Sequence, residues 1–290
     1  MRPVEYRLGL VLVTASAVAW STAGLFTRLI PLDSWTMLAW RGIFGALGMI
    51  VAMLALERRN TWTSFQKMGW PGWSYAVLSA LGMIFFITSL RHTTVAHVAV
   101  IYATVPFLAA ALGWMVTRER PSSSATIASL AALAGVVVMV GFGAEGGLFG
   151  DLLAFGMTVS MALIMVIARR FRGISVMPAA CLSALLSGLV CWPMGDPLAV
   201  SGHELLLLSL FGLVNSAVGL ALFTLGARLL PAIETALIGS LDAPLAPLWV
   251  WLAFNETPSA STIMGGAIVF IAVAAHLIAG ASQMARSSAQ

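Results

Sequence analysis

Apolar residues in this chain gather into unbroken runs of about twenty, the length of α-helix that crosses a bilayer, separated by short polar or Gly/Pro breaks. Barrel strands would instead alternate in polarity over about ten residues, so the spans are helices. Ten runs mark spans at 8–30, 35–56, 71–90, 94–117, 123–142, 150–168, 175–193, 204–226, 232–253 and 261–281. Little is left for an extramembrane domain. The longest connector, 57–70, holds Arg58, Arg59, Trp62 and Lys67, a composition that fits an interfacial segment.

Composition agrees with that pattern. With 60% hydrophobic and only 9% charged residues, the chain cannot form one or two water-soluble domains, and disorder and nucleic acid as a partner drop out with them. The basic residues instead report topology. Arg2, Arg7, Arg58, Arg59, Lys67, Arg118, Arg120, Arg169, Arg170, Arg172, Arg228 and Arg286 fall on one side of the predicted spans. Only Arg28 and Arg91 fall on the other, and Arg41 lies inside the second span. That asymmetry predicts a multi-pass protein of a bacterial-type cytoplasmic (inner) membrane with both termini in the cytoplasm. The tail Met1 to Arg7 runs into the first span without an A-x-A-like cleavage site, so that span is expected to be retained. Cys181 and Cys191 are ten residues apart in one apolar run, about 15 Å along a helix, too far to bridge.

The chain also repeats itself. A shift of 137 residues aligns Ser79-Ala80-x-Gly82 with Ser216-Ala217-x-Gly219, Arg91 with Arg228, Trp114 with Trp251, and Glu119-x-Pro121-Ser122 with Glu256-x-Pro258-Ser259. Over 79–124 it gives 14 identities in 46 positions. Compositional bias matches Ala and Leu but not Arg, Trp, Glu and Pro together. The predicted fold is therefore an all-α integral membrane protein of ten transmembrane helices, in two repeats, 8–142 (spans 1–5) and 150–281 (spans 6–10). Five crossings per repeat is an odd number, so the second copy must be inverted, the hallmark of alternating-access transporters.

Several residues carry a family resemblance: Gly150-Asp151-Leu152-Leu153-Ala154 leading to Ala168-Arg169-Arg170, the Glu-x-Pro ends of spans 4 and 9, Pro106 and Pro244 within those spans, and Arg41 in span 2. Over essentially the whole chain these resemble the EamA repeats of the drug/metabolite transporter superfamily, and the general pattern is similar to the YddG type of exporter of aromatic and other amino acids. The resemblance implies ten helices, cytoplasmic termini, a cavity lined mainly by spans 1, 3, 4, 6, 8 and 9, and peripheral spans 5 and 10.

A charge inside hydrocarbon costs at least about 2.5–3.5 kcal/mol, so each ionisable residue within a span must be paired, hydrated or functional. Asp242, near the middle of span 9 and followed by the helix-bending Pro244 and Pro247, has three available roles: binding a substrate ammonium, carrying a coupling proton, or capping the downstream half-helix. Glu234 starts span 9 after Pro231, where the helix dipole stabilises a carboxylate. Its repeat mate is His97, at the outer start of span 4, a candidate charge partner or coupling group. Arg41 is expected to snorkel or to neutralise a carboxylate, with Asp242 one partner within the span set. His276, in peripheral span 10, is expected off the pathway. Uncharged cavity candidates are Ser21 and Thr22, Ser79, Tyr102 and Thr104, Ser160, and Asn215 and Ser216. Hydroxyls in membrane helices commonly bond back to their own turn, so only some of these are expected to face a cavity. Trp20, halfway through span 1, offers an apolar wall, and Pro106 a bend in span 4.

Absences narrow the chemistry. The sequence holds no P-loop and one lysine, Lys67, in a connector, which excludes ATP hydrolysis by the chain and an intramembrane Schiff base. No His/Glu cluster has metal-ligand spacing, so no metal, cofactor or enzymatic activity is expected. The expectation is alternating-access export of amino acids. Export of drugs or other small metabolites by the same fold is the first alternative, and a channel or intramembrane enzyme the second.

Overall fold

The computed structural model describes residues 3–57, 61–118, 120–140, 147–171, 176–255 and 257–287. Arg2, Arg58, Arg59, Glu119, Glu145, Arg172 and Glu256 lie outside the described residues. Fifteen α-helices and no strand occur among those described. Among the described residues nine helical stretches are long and apolar enough to cross a membrane, and the shorter apolar helix Ser123–Met139 supplies the tenth crossing.

Span 1 consists of α1 (Pro3–Ser21) and α2 (Ala23–Leu29), broken at Thr22. The hydroxyls of Ser21 and Thr22 donate to the carbonyls of Val18 and Ala19 at the break, the local competition that bends helices. Asp33 caps α3 (Ser34–Glu57) by accepting from the N–H groups of Trp35 and Thr36. The predicted interfacial connector contains a short helix, α4 (Thr61–Gln66), with Trp62 exposed. Next come α5 (Gly69–His92) and span 4, which is α6 (Val95–Tyr102) followed by α7 (Val105–Thr117). α8 (Ser123–Val140), α9 (Leu148–Arg170) and α10 (Val176–Cys191) are each continuous. Span 8 is α11 (Gly202–Phe211), a π-helical stretch over Gly212–Leu220, and α12 (Ala221–Ala227). Span 9 is α13 (Ala232–Gly239) plus α14 (Asp242–Phe254), and span 10 is α15 (Ala260–Ser287).

The 137-residue repeat reappears as geometry. It carries α6 onto α13, α7 onto α14 and the start of α8 onto the start of α15, each with the same bounds. It also carries Arg118 (φ 58°) onto Asn255 (φ 55°), two left-handed residues whose N–H groups bond to the carbonyls of the repeat mates Trp114 and Trp251. A left-handed residue there closes the helix by satisfying a terminal carbonyl.

Equivalent spans pack on each other: α3 on α10, and α8 on α15. At the first seam the backbones meet, since a Cβ on Gly42 would lie 2.7 Å from the Gly188 Cα. At the second, Gly135 and Gly265 face each other, and Ala128 and Ala132 share one buried cluster with Val269 and Ala272. The small-residue row of span 5 thus packs within the chain. Small residues suit this role because lipid is as apolar as the helices, so close van der Waals contact drives association. Spans 1, 4, 6 and 9 meet between these seams, with α7 against both α9 and α13 and α1 against α13 and α14. Tyr6 near one end of the chain and His276 near the other both approach Glu234, so the two ends lie on one face, termed the terminal face below.

Candidate functional site

The breaks in spans 4 and 9 face each other across one gap. Residues in an unbroken helix consume their own backbone groups, whereas a break frees the carbonyl end of one half-helix and the N–H end of the next, which membranes tolerate only where protein or water receives them. Pro106 and Pro244, in the first turns of α7 and α14, lack an N–H and fit positions where none is needed. The Thr104 and Ser240 hydroxyls, one at each break, donate to the carbonyls of Ile101 and Leu237, both at 2.6 Å. Between the breaks is a gap of about 20 Å³ lined by Tyr102, Pro106, Met161, Met165, Phe223, Gly239 and Ser240. Asp242 opens α14 beside this gap, and no ion pair reaches its carboxylate among the described residues.

Toward the terminal face lies a vestibule of about 370 Å³, walled by Gly113, Thr117, Arg120, Arg169, Pro231 and Glu234 among others. Glu234 is 9% exposed. Its Oε2 accepts from the Tyr6 hydroxyl at 2.7 Å, and its Oε1 lies 3.9 Å from His276 Nε2. The other ring nitrogen of His276 sits 3.1 Å from the Ser124 hydroxyl. Span 10 therefore reaches Glu234, through the buried histidine expected off the pathway.

On the opposite face side chains pack against one another. His97 Nδ1 lies 3.1 Å from both carboxylate oxygens of Asp151, to which the Thr93 hydroxyl also donates. Gly150 permits this approach, because a Cβ there would lie 2.6 Å from the Thr93 backbone nitrogen. Phe26, Ile30, Met37, Leu208 and Phe211 form a buried apolar cluster on the same side. In the adjoining loop, partial burial opposes ionisation of Asp33. The Thr36 and Trp35 hydrogen bonds and the Arg91 charge outweigh it and hold the carboxyl below its ordinary range.

Arg41 does not pair with Asp242. Its Nη1 donates to Asn215 Oδ1 at 3.0 Å, its Nη2 meets Met83 Sδ at 3.2 Å, and its Nε is buried without a partner. Asn215 also donates weakly to the carbonyls of Ala19 and Trp20, while Trp20 Nε1 donates to the Asn215 carbonyl at 3.0 Å. Trp20 thus spends its polar edge on span 8 and its ring on Phe223, 4.8 Å between centroids. Asn215 and Ser216 belong to the π-helical stretch, a deviation that often marks functional sites.

Of the sequence candidates, Tyr102 and Pro106 line the central gap and Asp242 adjoins it. Thr22 and Thr104 bond back to their own turns, as does buried Ser160, whose Cβ also packs on Gly82. Ser216 packs against Gly45, and Ser21 accepts from Trp249 Nε1 at 2.7 Å. Ser79 is half-buried on α5, and Pro247 is half-buried within α14. Tyr6 is a site residue that the sequence reading did not single out, and Asp151 and Arg169 entered it only as motif and loop residues. The one signal for two of them was the repeat mates His97 and Glu234, each of which demands a partner on its own face.

The EamA-like transporter family model matches twice, over residues 7–141 and 148–278. The chain is 27% identical over 272 residues to an uncharacterized transporter, YwfM, of Bacillus subtilis (strain 168), covering 89% of this chain and 90% of that protein. A protein of known crystal structure superposes with a TM-score of 0.80 over 96% of this chain and 99% of its own, at 21% identity, a likeness of fold.

Proposed function

The chain belongs to the EamA-like transporter family, and from that premise we propose that it exports amino acids, neutral and aromatic ones included, across the cytoplasmic membrane by alternating access, with both termini in the cytoplasm. The observation that carries this reading is Asp242, a carboxylate with no cation on it among the described residues, at the break of span 9 beside a mostly apolar gap. A substrate ammonium is the group that compensates it. The N-terminal ends of α7 and α14 present N–H groups and positive dipole ends to the same region, which suits the substrate carboxylate, as half-helices do in other transporters. Apolar walls of Met161, Met165 and Phe223 accept varied side chains, while the polar groups read the shared zwitterion.

In the state described, the terminal-face vestibule has the volume of a small-molecule site and the central gap does not. Substrate loads from the cytoplasm, and the half-helices α13 and α14 move about their break against α6 and α7 to open the gap. Release outward requires the His97–Asp151 contact to part. Efflux of labelled amino acids from loaded proteoliposomes tests the reading. Flux above that of empty liposomes is expected, and none for any amino acid defeats it.

A further inference from the structure

We propose that Glu234 and His276 together bind the proton that is exchanged against substrate during transport, which makes the protein a proton-coupled antiporter. The proposal rests on the export reading for its direction, but the proton site stands on its own geometry. His276 is 5% exposed, and its Nε2 is sealed from solvent with no hydrogen-bond partner, aimed at Glu234 Oε1 3.9 Å away. That distance is too long for a hydrogen bond and within reach of an ion pair. The carboxylate is held from its other side by the Tyr6 hydroxyl and opens onto the vestibule. A carboxylate and an imidazole in this arrangement share one exchangeable proton, carried on Glu234 Oε1 or on His276 Nε2 and returned to vestibule water. No other bond is made or broken.

Every element around the pair is accounted for. α1 supplies Tyr6, with Glu5 and Arg7 beside it in sequence. α9 brings Arg169 to the vestibule wall, Arg120 stands beyond the end of α7, and Arg228 follows α12. α7, α8 and α12 contain no titratable side chain, and Asp242 lies two turns further along span 9. Glu234 sits in the first turn of α13, the short half-helix of span 9, while Tyr6 and His276 belong to spans 1 and 10. Motion of α13 therefore changes the partners of the carboxylate and hence its proton affinity, the link an antiporter needs. The repeat supports this: the mate of Glu234 is His97, also in the first turn of its half-helix and also bound to a titratable group, Asp151, at the opposite face.

Infrared difference spectroscopy of the full-length protein in lipid, taken between about pH 5 and 8, tests the site without any substrate. A protonated-carboxyl C=O band that titrates in this window and disappears in Glu234→Gln is expected. Tyr6→Phe and His276→Gln should each change the pH dependence of that band, since each removes a partner of the carboxyl group. The proposal is overturned if wild type shows no titrating carboxyl band, or if the band survives in Glu234→Gln. In proteoliposomes loaded with labelled alanine and phenylalanine, an external acid pulse should raise wild-type efflux several-fold and leave Glu234→Gln without that response. Wild-type efflux that ignores the pulse overturns coupling, whereas absence of any efflux overturns the amino-acid reading and leaves the infrared titration to decide the proton site.

Discussion

Replacing Asn215 with Leu should destabilise the protein by about 2–4 kcal/mol, and replacing Arg41 with Met in the same chain should restore most of the loss. Among the described residues the guanidinium has one oxygen acceptor, Asn215 Oδ1 at 3.0 Å, and a hydrogen bond to a charged group is worth about 1.5–3 kcal/mol. Without it the cation keeps only the Met83 sulfur and the Phe211 ring, 5.5 Å from its Cζ to the centroid, an interaction of about 0.5–1 kcal/mol. Removing one partner of a buried charged contact costs more than removing both, because the stranded charge remains. Arg41→Met alone leaves Asn215 its two longer bonds, at 3.3 and 3.4 Å, and should cost about 1 kcal/mol. The double variant should lie within about 1 kcal/mol of wild type, a coupling of at least about 2 kcal/mol. Equilibrium unfolding of the four proteins in mixed micelles, followed by circular dichroism, measures the cycle. Additive losses would refute the reasoning, because they would mean that Arg41 finds a second acceptor or reaches water.

Asp242→Asn should lower amino-acid efflux at least about tenfold if the carboxylate meets the substrate ammonium, a loss of roughly 1.4 kcal/mol or more, checked by initial rates in proteoliposomes. Gly135→Leu should disrupt the α8–α15 seam by about 1–3 kcal/mol or more, since a Cβ there already lies 2.8 Å from the Gly265 carbonyl oxygen; a lowered midpoint of thermal unfolding in detergent is the readout. Asp33→Ala should cost about 0.5–2 kcal/mol through the lost cap of α3. Because the Asp33 carboxyl is held below its ordinary value, its contribution is complete above the unfolded pKa and fades as pH falls through the lowered folded one. The difference between wild type and Asp33→Ala should shrink in acid, and a difference that grows there contradicts the assignment.

The sequence alone determined the architecture. A bilayer demands about twenty apolar residues per helical crossing, so each span declares itself locally, and the 137-residue repeat declares the inversion. Asp242 stood out on the same grounds, as a charge costly to place in hydrocarbon. Partners were not visible, because they join residues far apart in the chain. Arg41 meets Asn215 174 positions on rather than Asp242, and Tyr6 and His276 flank Glu234 from opposite ends of the chain. Nor could residue type separate hydroxyls that face a cavity from those bonded to their own turn. Thr104 and Ser160 turn inward on their helices, and only the packed bundle decides which surfaces enclose the vestibule. Hydrophobicity is a property of segments and is written along the chain. The depth, facing and pairing of a polar group arise from how the segments cross, and only the tertiary structure fixes those.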